Sequence, residues 1–412
     1  MSLTLLLDLD DTLLDNSMAD FLPAYLQAIS SHLAPYADPA RLVETLITGT
    51  RQMVLNQSPE CTLQEVFFPI FYRLFGHNQR VIDQALQEFY ADVFPTLKSV
   101  TRPRPEAVKL VEQAFSRGYR VAIATAPLFP RTAILQRISW AGFTPEKHPF
   151  AVIPSFETFH FAKPNPAFLA ELLAQMGWPV GPVVMLGDDL KMDIRTAQAV
   201  GLPSYWIHQD GSEAVEEVSG ATGEGGLEDF FPWLDSLPLD ELQPDFNDPS
   251  AMLAILRATP AALNSMLAGL PAVAWSAQPE SGGWCLTEVV CHLRDADADV
   301  NLPRLHKVYG GNNPFLPGID TDLWAEERAY LLQNGPEALH SFSWNRMKLL
   351  ELLGKLTGDE WTRPARHAIF GPTNLQELVS FIAGHDRLHI RQAYELIQPA
   401  QTPPSIFQLR KS

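Results

Sequence analysis

Five short apolar runs, separated by longer segments with helical spacing, constrain this chain more than any other feature. The runs cover 3–7, 120–125, 150–153, 182–186 and 204–207, and the helical patterns between them cover 105–116, 130–141, 166–177 and 191–200. Short apolar runs that alternate with helices predict a Rossmann-like, doubly wound parallel sheet of the α/β class. In such sheets ligands bind beyond the carboxyl ends of the strands, where the strand order reverses.

The first run leads directly into three acids, Asp8, Asp10 and Asp11. Asp8 falls at the carboxyl end of the predicted strand, and Asp10 reaches the same small volume once the backbone turns. Two carboxylates this close cannot both stay ionised cheaply, so either a divalent cation neutralises them or one keeps a proton. Either outcome suits phosphoryl transfer, in which one carboxylate attacks phosphorus while the other protonates the leaving oxygen and later deprotonates water. Asp11 is interpreted as the N-cap or a first-turn acid of the following helix.

Later strand ends supply complementary groups. The hydroxyl of Thr125 can donate a hydrogen bond to a phosphate oxygen, and Lys163 provides a compact cation that balances the attacking carboxylate and the phosphate. The segment GDDLKMD follows the fourth run and contributes Asp188, Asp189 and Asp193. Carboxylate oxygens are ligands that suit Mg²⁺, which takes few protein ligands and fills the rest with substrate phosphate and water.

Two long stretches depart from the strand-and-helix alternation. Residues 16–100 show four helical patterns rich in Phe and Tyr, which predicts a helical insertion. Residues 208–247 contain GATGEGG and many acids but lack the Lys and Ser/Thr of a phosphate loop, so we interpret them mainly as a solvated loop and linker. From 248 onward the pattern is helical without a strand-like run, which predicts a four-helix bundle. Its helices are predicted over 248–268, 284–300, 336–356 and 374–397.

Three histidines fall on the apolar stripes of two of these helices. His385 and His389 stand four residues apart and therefore lie one above the other, and His292 follows the stripe of an earlier helix. Imidazoles in a bundle core are costly unless they are hydrogen-bonded or coordinated, so the trio is a candidate metal site. The alternative is that each histidine is a satisfied core residue or lines a water-filled cleft. The remaining histidines of the bundle are interpreted as surface residues: His306, His340 and His367.

The motifs DLDDT, the run ending in Thr125, Lys163 followed by Pro164, and GDDLKMD resemble the four motifs of the haloacid dehalogenase (HAD) superfamily. The resemblance covers about residues 1–235 and implies a core of 1–15 and 101–240 with a helical C1-type cap over 16–100, which together make a domain of 1–240.

By this resemblance Asp8 is the nucleophile that forms an aspartyl-phosphate, Asp10 is the general acid and base, and Thr125 and Lys163 bind the phosphoryl group. The same resemblance implies Mg²⁺ held by Asp8, the Asp10 carbonyl and Asp188, with Asp189 or Asp193 supporting. An acid at position 10 favours phosphatases over dehalogenases. Ala126 departs from the Asn that many members carry there, which bears on turnover or substrate class.

The C-terminal region resembles the DinB-like superfamily, whose four-helix bundles bind a divalent metal through three histidines. The matching segments are LRATPAALNSML, the stretch from Trp284 to Asp295, and HDRLHIRQ. The resemblance implies a domain over 248–412 after a linker at 241–247. It also implies His292, His385 and His389 as ligands of a second divalent metal, Zn²⁺ or Ni²⁺.

The net charge limits which binding partners are expected, and the cysteine content indicates the cellular compartment. With a formal net charge of −18, the chain lacks the basic surface that nucleic acid or an anionic membrane requires. Three scattered cysteines fit a reducing cytosol, so a cytoplasmic location is expected. The first apolar run lacks the basic flank of a signal peptide, so none is expected there. No run approaches the length of about 18 apolar residues that a membrane span needs.

Three functions follow from these observations. The leading hypothesis is a Mg²⁺-dependent phosphatase that hydrolyses a small phosphorylated metabolite, with the bundle as an appended metal module. The second places a metal-dependent thiol S-transferase in the bundle and makes the HAD-like domain auxiliary. The third is a non-enzymatic protein that senses ligands with both pockets. No oligomeric state is predicted.

Overall fold

The computed structural model describes residues 3–76, 79–208, 220–280, 282–321 and 323–401. These residues divide into two compact units, one containing residues up to 172 together with 179–254, and the other containing 173–178 together with the chain from 255. Among the described residues, no helix combines the length and the apolar character that a membrane crossing needs.

A parallel sheet of five strands forms the centre of the first unit. In chain order, the strands of this unit are β1 (Thr4–Leu7), β2 (Leu14–Asp15), β3 (Arg102–Pro103), β4 (Arg120–Ile123), β5 (Val183–Gly187), β6 (Ser204–Ile207) and β7 (Gly223–Gly225). The order across the sheet is β4-β1-β5-β6-β7, and every neighbouring pair is parallel. Strand β1 is fully buried and lies between two parallel neighbours, β4 and β5.

The strand order reverses at β1. The chain passes from β1 to β4 on one side and then crosses over to β5 on the other, so Leu7 pairs with both Ile123 and Leu186. The carboxyl end of β1 therefore opens at the switch point of the sheet, where parallel α/β proteins bind ligands. Asp8 is the first residue beyond that end.

The predicted helical insertion is present between β2 and β3. Its helices are α1 (Met18–Leu33), α2 (Pro39–Leu55), α3 (Leu63–Arg73) and α4 (Gln79–Glu88). Strands β2 and β3 pair antiparallel, so the chain leaves and re-enters the core at a single two-stranded neck. Buried aromatic rings pack the insertion internally, with Phe94 contacting Phe21, Tyr25 and Phe89 at centroid distances of 6.2–6.3 Å.

Five helices accompany the sheet strands, and two sequence predictions fail there. The helices are α5 (Pro105–Ser116), α6 (Arg131–Trp140), α7 (Pro166–Gln175), α8 (Arg195–Val200) and α9 (Phe230–Asp235). The predicted strand over 150–153 is wrong: this segment exchanges two backbone hydrogen bonds with Val121 and Ile123 of β4 but forms no regular ladder. The loop prediction is wrong for Gly223–Gly225, which pairs with β6, although residues 209–219 of that stretch lie outside the described residues.

Helices dominate the second unit, as predicted. They are α10 (Pro249–Leu267), α11 (Ala272–Ser276), α12 (Leu286–Asp295), α13 (Leu302–Gly310), α14 (Trp324–Glu327), α15 (Gly335–Leu353) and α16 (Leu375–Gln401). The four long predicted helices correspond to α10, α12, α15 and α16. The structure adds a three-stranded sheet of β8 (Phe315–Leu316), β9 (Pro364–His367) and β10 (Gly371–Asn374), whose strands are too short to leave an apolar pattern.

A buried ion triad lies in the core of the bundle. Arg346 is fully buried on α15, and its guanidinium donates to Asp297 and to Asp386 of α16. Desolvation acts against this guanidinium, but the two carboxylates outweigh it and raise the pKa of Arg346. Burial raises the pKa of Asp297 against the opposing charge of Arg346. The triad therefore links α15 to α16 through a buried guanidinium, and both carboxylates are needed to offset the cost of burying that charge.

Replacing the arginine should therefore destabilise the second unit strongly. Arg346→Met leaves two buried carboxylates without their cation, and such a loss costs about 3–5 kcal/mol. Urea denaturation of the full chain, followed by tryptophan fluorescence, measures the effect. The matched control is Lys355→Met, which removes an exposed pair with Glu351 and should leave the curve unchanged. Equal curves for the two variants would contradict a structural role for the triad.

Candidate active site and candidate metal centre

Lys163 contacts two carboxylates that are far apart in the sequence, those of Asp8 and Asp193. Its Nζ lies 2.6 Å from Asp8 Oδ1 and also donates to Asp193 Oδ1, and all three side chains are buried. Burial raises the pKa of Asp8 to about 7, because desolvation outweighs the attraction of the ammonium. Desolvation also opposes the charge of Lys163, but its two carboxylate partners prevail and raise its pKa. The lysine therefore stays cationic beside the carboxylate.

A third carboxylate completes this cluster. Asp188 Oδ1 accepts a hydrogen bond of 2.9 Å from Thr12 Oγ1, and the indole of Trp206 donates to its main-chain oxygen at 2.8 Å. Burial and then the charge of Asp8 raise the pKa of Asp188 to about 7. One carboxylate oxygen from each of Asp8, Asp188 and Asp193 lies within 4.8 Å of the other two. Crowded, desolvated carboxylates of this kind are a donor set that fits a divalent cation with oxygen ligands.

The two acids predicted to support the metal take different positions. Asp193 is buried over Gly187, where an added Cβ would meet Asp193 Oδ2 at 2.2 Å, so only glycine fits at the end of β5. Asp193 Oδ2 also accepts the Asp189 backbone N–H at 3.1 Å. Asp189 itself is exposed, and its carboxylate caps the following helical turn by accepting the N–H groups of Lys191 and Met192. Of the two, Asp193 lies in the site.

Asp10 lies beside the cluster and is held by groups that the sequence analysis missed. Arg137 Nη1 lies 2.8 Å from Asp10 Oδ1 and 2.6 Å from Oδ2, and Asn16 Nδ2 donates to Oδ1 at 2.6 Å. Thr125 Oγ1 is 3.5 Å from Asp10 Oδ2. Arg137 is only 1% exposed on α6. The signal was present, because an arginine on the buried face of a predicted helix requires an acidic partner.

The three predicted histidines meet in the second unit. The Nε2 atoms of His292 and His385 lie 2.9 Å apart, and those of His385 and His389 lie 3.1 Å apart. Desolvation, reinforced by the neighbouring imidazoles, lowers the pKa of His292 and of His385 to about 3. Desolvation also lowers the pKa of His389. All three rings are therefore neutral at pH 7 and can direct nitrogen lone pairs at a shared ion.

The surroundings of the trio also fit a metal. His389 Nδ1 lies 2.9 Å from Gln392 Oε1, so this nitrogen carries the proton and leaves the Nε2 lone pair directed at the other rings. The indole of Trp284 stacks on His389 at 5.9 Å between centroids. Three converging lone pairs cannot satisfy one another by hydrogen bonding, whereas a divalent ion accepts all three.

Comparison with known protein families gives one match in each part of the chain. Residues 3–201 match the family model of haloacid dehalogenase-like hydrolases, and residues 255–393 match that of the DinB superfamily. The two family resemblances inferred from the motifs are confirmed for these segments, the first with a haloacid dehalogenase-like hydrolase and the second with the DinB superfamily. The predicted fold class, a parallel α/β core with a helical insertion and a helical bundle, is confirmed as well.

Individual relatives match parts of the chain. A phosphoglycolate phosphatase from Mesorhizobium japonicum is 29% identical over 150 residues, which cover 32% of this chain and 63% of the relative, less than two thirds of its length. A HAD phosphatase structure from Thermococcus onnurineus aligns with a TM-score of 0.38 at 19% identity, over 57% of this chain and 98% of that one. YfiT from Bacillus subtilis, described as a probable metal-dependent hydrolase with an unusual four-helix bundle topology, aligns with a TM-score of 0.35 at 19% identity, over 38% and 90%.

The carboxylate cluster predicts a distinction between two adjacent acids. Asp188→Asn should weaken Mg²⁺ binding by about tenfold or more, because a charged oxygen donor is lost from the cluster. Asp189→Asn should leave the affinity within about twofold, since asparagine caps a helix as well as aspartate does. Isothermal titration of the full chain with MgCl₂ measures both. Equal weakening in the two variants would show that the cluster is not the binding site.

The histidine trio predicts a stoichiometric metal in the second unit. The double variant His385→Ala/His389→Ala should lose one equivalent of bound Zn²⁺ or Ni²⁺, because one nitrogen ligand cannot hold the ion. The exposed His306→Ala variant serves as the control and should retain it. Mass spectrometric metal analysis of the purified full chain gives the count. A double variant with unchanged metal content would exclude the trio as the ligand set.

Proposed function

We propose that this chain is a Mg²⁺-dependent phosphatase that hydrolyses a small phosphate monoester through an aspartyl-phosphate on Asp8. The observation that carries the proposal is the buried contact of 2.6 Å between Lys163 Nζ and Asp8 Oδ1 at the switch point of the sheet. A buried carboxylate beside a fixed cation is arranged to attack an anionic phosphorus centre, because the cation offsets the repulsion between the two anions.

The proposed reaction has two steps. An Asp8 carboxylate oxygen attacks phosphorus, the bond from phosphorus to the leaving oxygen breaks, and Asp10 gives that oxygen a proton. In the second step Asp10 takes a proton from water, the water oxygen attacks phosphorus, and the bond to Asp8 breaks. Thr125 and Lys163 hold the phosphoryl oxygens. The mechanism requires Asp10 to carry a proton when the leaving group departs, so its contact with Arg137 must loosen at that point.

Mg²⁺, when bound, supplies positive charge between the carboxylates and the phosphoryl group. Asp8, Asp188 and the carbonyl oxygen of Asp10 would hold it, and Asp193 would keep Lys163 in place. The raised pKa values of Asp8 and Asp188 support this assignment, because neighbouring desolvated carboxylates bind a divalent ion more readily than they share two charges.

The insertion over 16–100 is proposed to act as a cap that selects the leaving group. A cavity of about 380 Å³ lies between it and the loop that follows Thr125, bounded by Leu22 and Ile47 of the cap and by Phe129 of the loop. Phe129 also stacks on Arg137, whose guanidinium holds Asp10. Apart from Thr50 and Arg51, the side chains that line this cavity are apolar or aromatic, and such walls favour a substrate with an apolar leaving group. Ala126 lies at the start of the same loop, where many family members carry Asn. Without that side-chain amide, the loop beside the cavity is less polar.

Phosphate release from a panel of monoesters tests the proposal. The panel contains phenyl phosphate, with an apolar leaving group, and phosphoglycolate, the substrate in the name of the relative. Asp8→Asn should lower kcat by about a thousandfold or more, because the amide cannot attack phosphorus. Asp11→Asn is the matched control and should keep activity, since asparagine tolerates the positive φ of 57° at this position.

Two results would contradict the proposed phosphatase. One is equal turnover by wild type and Asp8→Asn, and the other is the absence of phosphate release from the whole panel with Mg²⁺ bound. A preference for phosphoglycolate over phenyl phosphate would refute the apolar leaving group while leaving the phosphatase intact.

A second candidate function belongs to the bundle. The converging nitrogens of His292, His385 and His389 support a metal-dependent thiol S-transferase there, and the same trio serves equally in a non-enzymatic ligand sensor. The three cysteines form no disulfide, which supports a cytoplasmic location for either function. Phosphate release that depends on Asp8 while the double histidine variant stays active would assign the main reaction to the first unit.

A further inference from the structure

A second cavity lies in the C-terminal unit, directly beside the histidine trio. Its volume is about 160 Å³, room for about five water molecules or one small organic group. His292 and His385 bound one part of its wall, and Arg304 and His367 bound another. The metal chemistry assigned to the trio uses neither Arg304 nor His367.

His367 directs an N–H donor into this cavity. The prediction that it lies on the surface is wrong, since it is 4% exposed at the end of β9. Its Nδ1 accepts the backbone N–H groups of Ile369 at 3.2 Å and Phe370 at 3.4 Å. A nitrogen that accepts carries no proton, so in the neutral ring the proton lies on Nε2. Among the described residues, Nε2 finds no hydrogen-bond partner.

Arg304 brings a second donor and a charge to the same space. Its Nη2 donates to the Pro317 carbonyl at 3.0 Å, while its Nε is buried and finds no partner in the described part of the chain. Desolvation lowers the pKa of Arg304, and desolvation followed by the charge of Arg304 lowers that of His367. Of the described residues that line the cavity, none is acidic. Two buried donors and a partly desolvated cation are costly unless an anion meets them.

The mouth of the cavity is apolar. Ile369, Phe370 and Phe381 line it, and each is more than half exposed. The rings of Phe370 and Phe381 lie 5.3 Å apart, and Phe370 stacks on His367 at 4.6 Å. Exposed apolar side chains gathered at the entrance of a polar cavity are typical of a site for a ligand with an apolar body and a charged end.

We propose that this cavity is a subsite for a small carboxylic acid with an apolar body. The carboxylate accepts from Arg304 Nε and His367 Nε2, and the apolar body lies against Phe370 and Phe381. A ligand held there lies alongside His292 and His385, so the subsite would place a carboxylic acid next to any metal that the trio binds. The binding step needs no covalent change and does not depend on the phosphatase site.

Benzoate, a rigid carboxylate with an apolar ring, is the probe. Isothermal titration of the full chain as purified should show one binding site. Arg304→Gln should weaken binding by about tenfold or more, because a charge-assisted hydrogen bond is lost. His367→Asn should weaken it severalfold, since asparagine keeps the acceptor for the backbone and removes the Nε2 donor. Arg366→Gln, an exposed position on the same strand, is the matched control and should stay within about twofold.

Two further ligands and one spectrum sharpen the test. Benzyl alcohol lacks the charge and inorganic phosphate lacks the apolar body, so both should bind more weakly than benzoate. The ¹⁵N spectrum of the histidines should show His367 with its proton on Nε2, and benzoate should shift that resonance. The proposal is overturned if folded wild type does not bind benzoate, in which case water alone fills the cavity. It is also overturned if Arg304→Gln binds benzoate as tightly as wild type, or if phosphate competes equally.

Discussion

The contact of Lys163 with two buried carboxylates is the interaction on which the first unit depends. Asp8 follows β1 and Asp193 follows β5, and neighbouring parallel strands bring both to one edge of the sheet. Without the lysine, burial of these acids would cost several kcal/mol for each charge. With it, the site holds negative oxygens and one fixed cation at the point where the sheet opens. The fold therefore brings together a buried carboxylate and a fixed cation, the pair on which the proposed phosphoryl transfer depends.

Much of this arrangement was predictable because local patterns dictate it. Apolar runs end where strands end, so the positions of Asp8, Thr125 and Asp188 at one sheet edge follow from parallel pairing alone. The side chains that hold these groups were not predictable, because they come from elements whose approach is set by packing. Arg137 on a predicted helix signals that an acidic partner is needed, but the sequence does not identify that partner as Asp10, 127 residues away. Conversely, Gly223–Gly225 lacks any strand propensity and pairs only because β6 presents a free edge.

In the second unit, too, buried titratable groups are either paired with an opposite charge or kept neutral. Arg346 neutralises two buried carboxylates, and the trio of histidines avoids charge by staying neutral. The helical periodicity predicted the trio because residues four apart share a face. It missed His367, which lies on a short strand where no periodicity marks the buried positions. In the second unit, the unpartnered donors of Arg304 and His367 lie in the wall of a cavity that a ligand can enter.

The most direct test of the central claim is to identify the residue that carries the phosphoryl group. Borohydride reduces an acyl phosphate to the alcohol, so a phosphorylated aspartate is converted to homoserine, which peptide mass spectrometry locates. During turnover with Mg²⁺ and phenyl phosphate, we expect homoserine at position 8 of the wild type and none in Asp8→Asn. Homoserine at another position, or turnover with no trapped residue at position 8, would contradict the account.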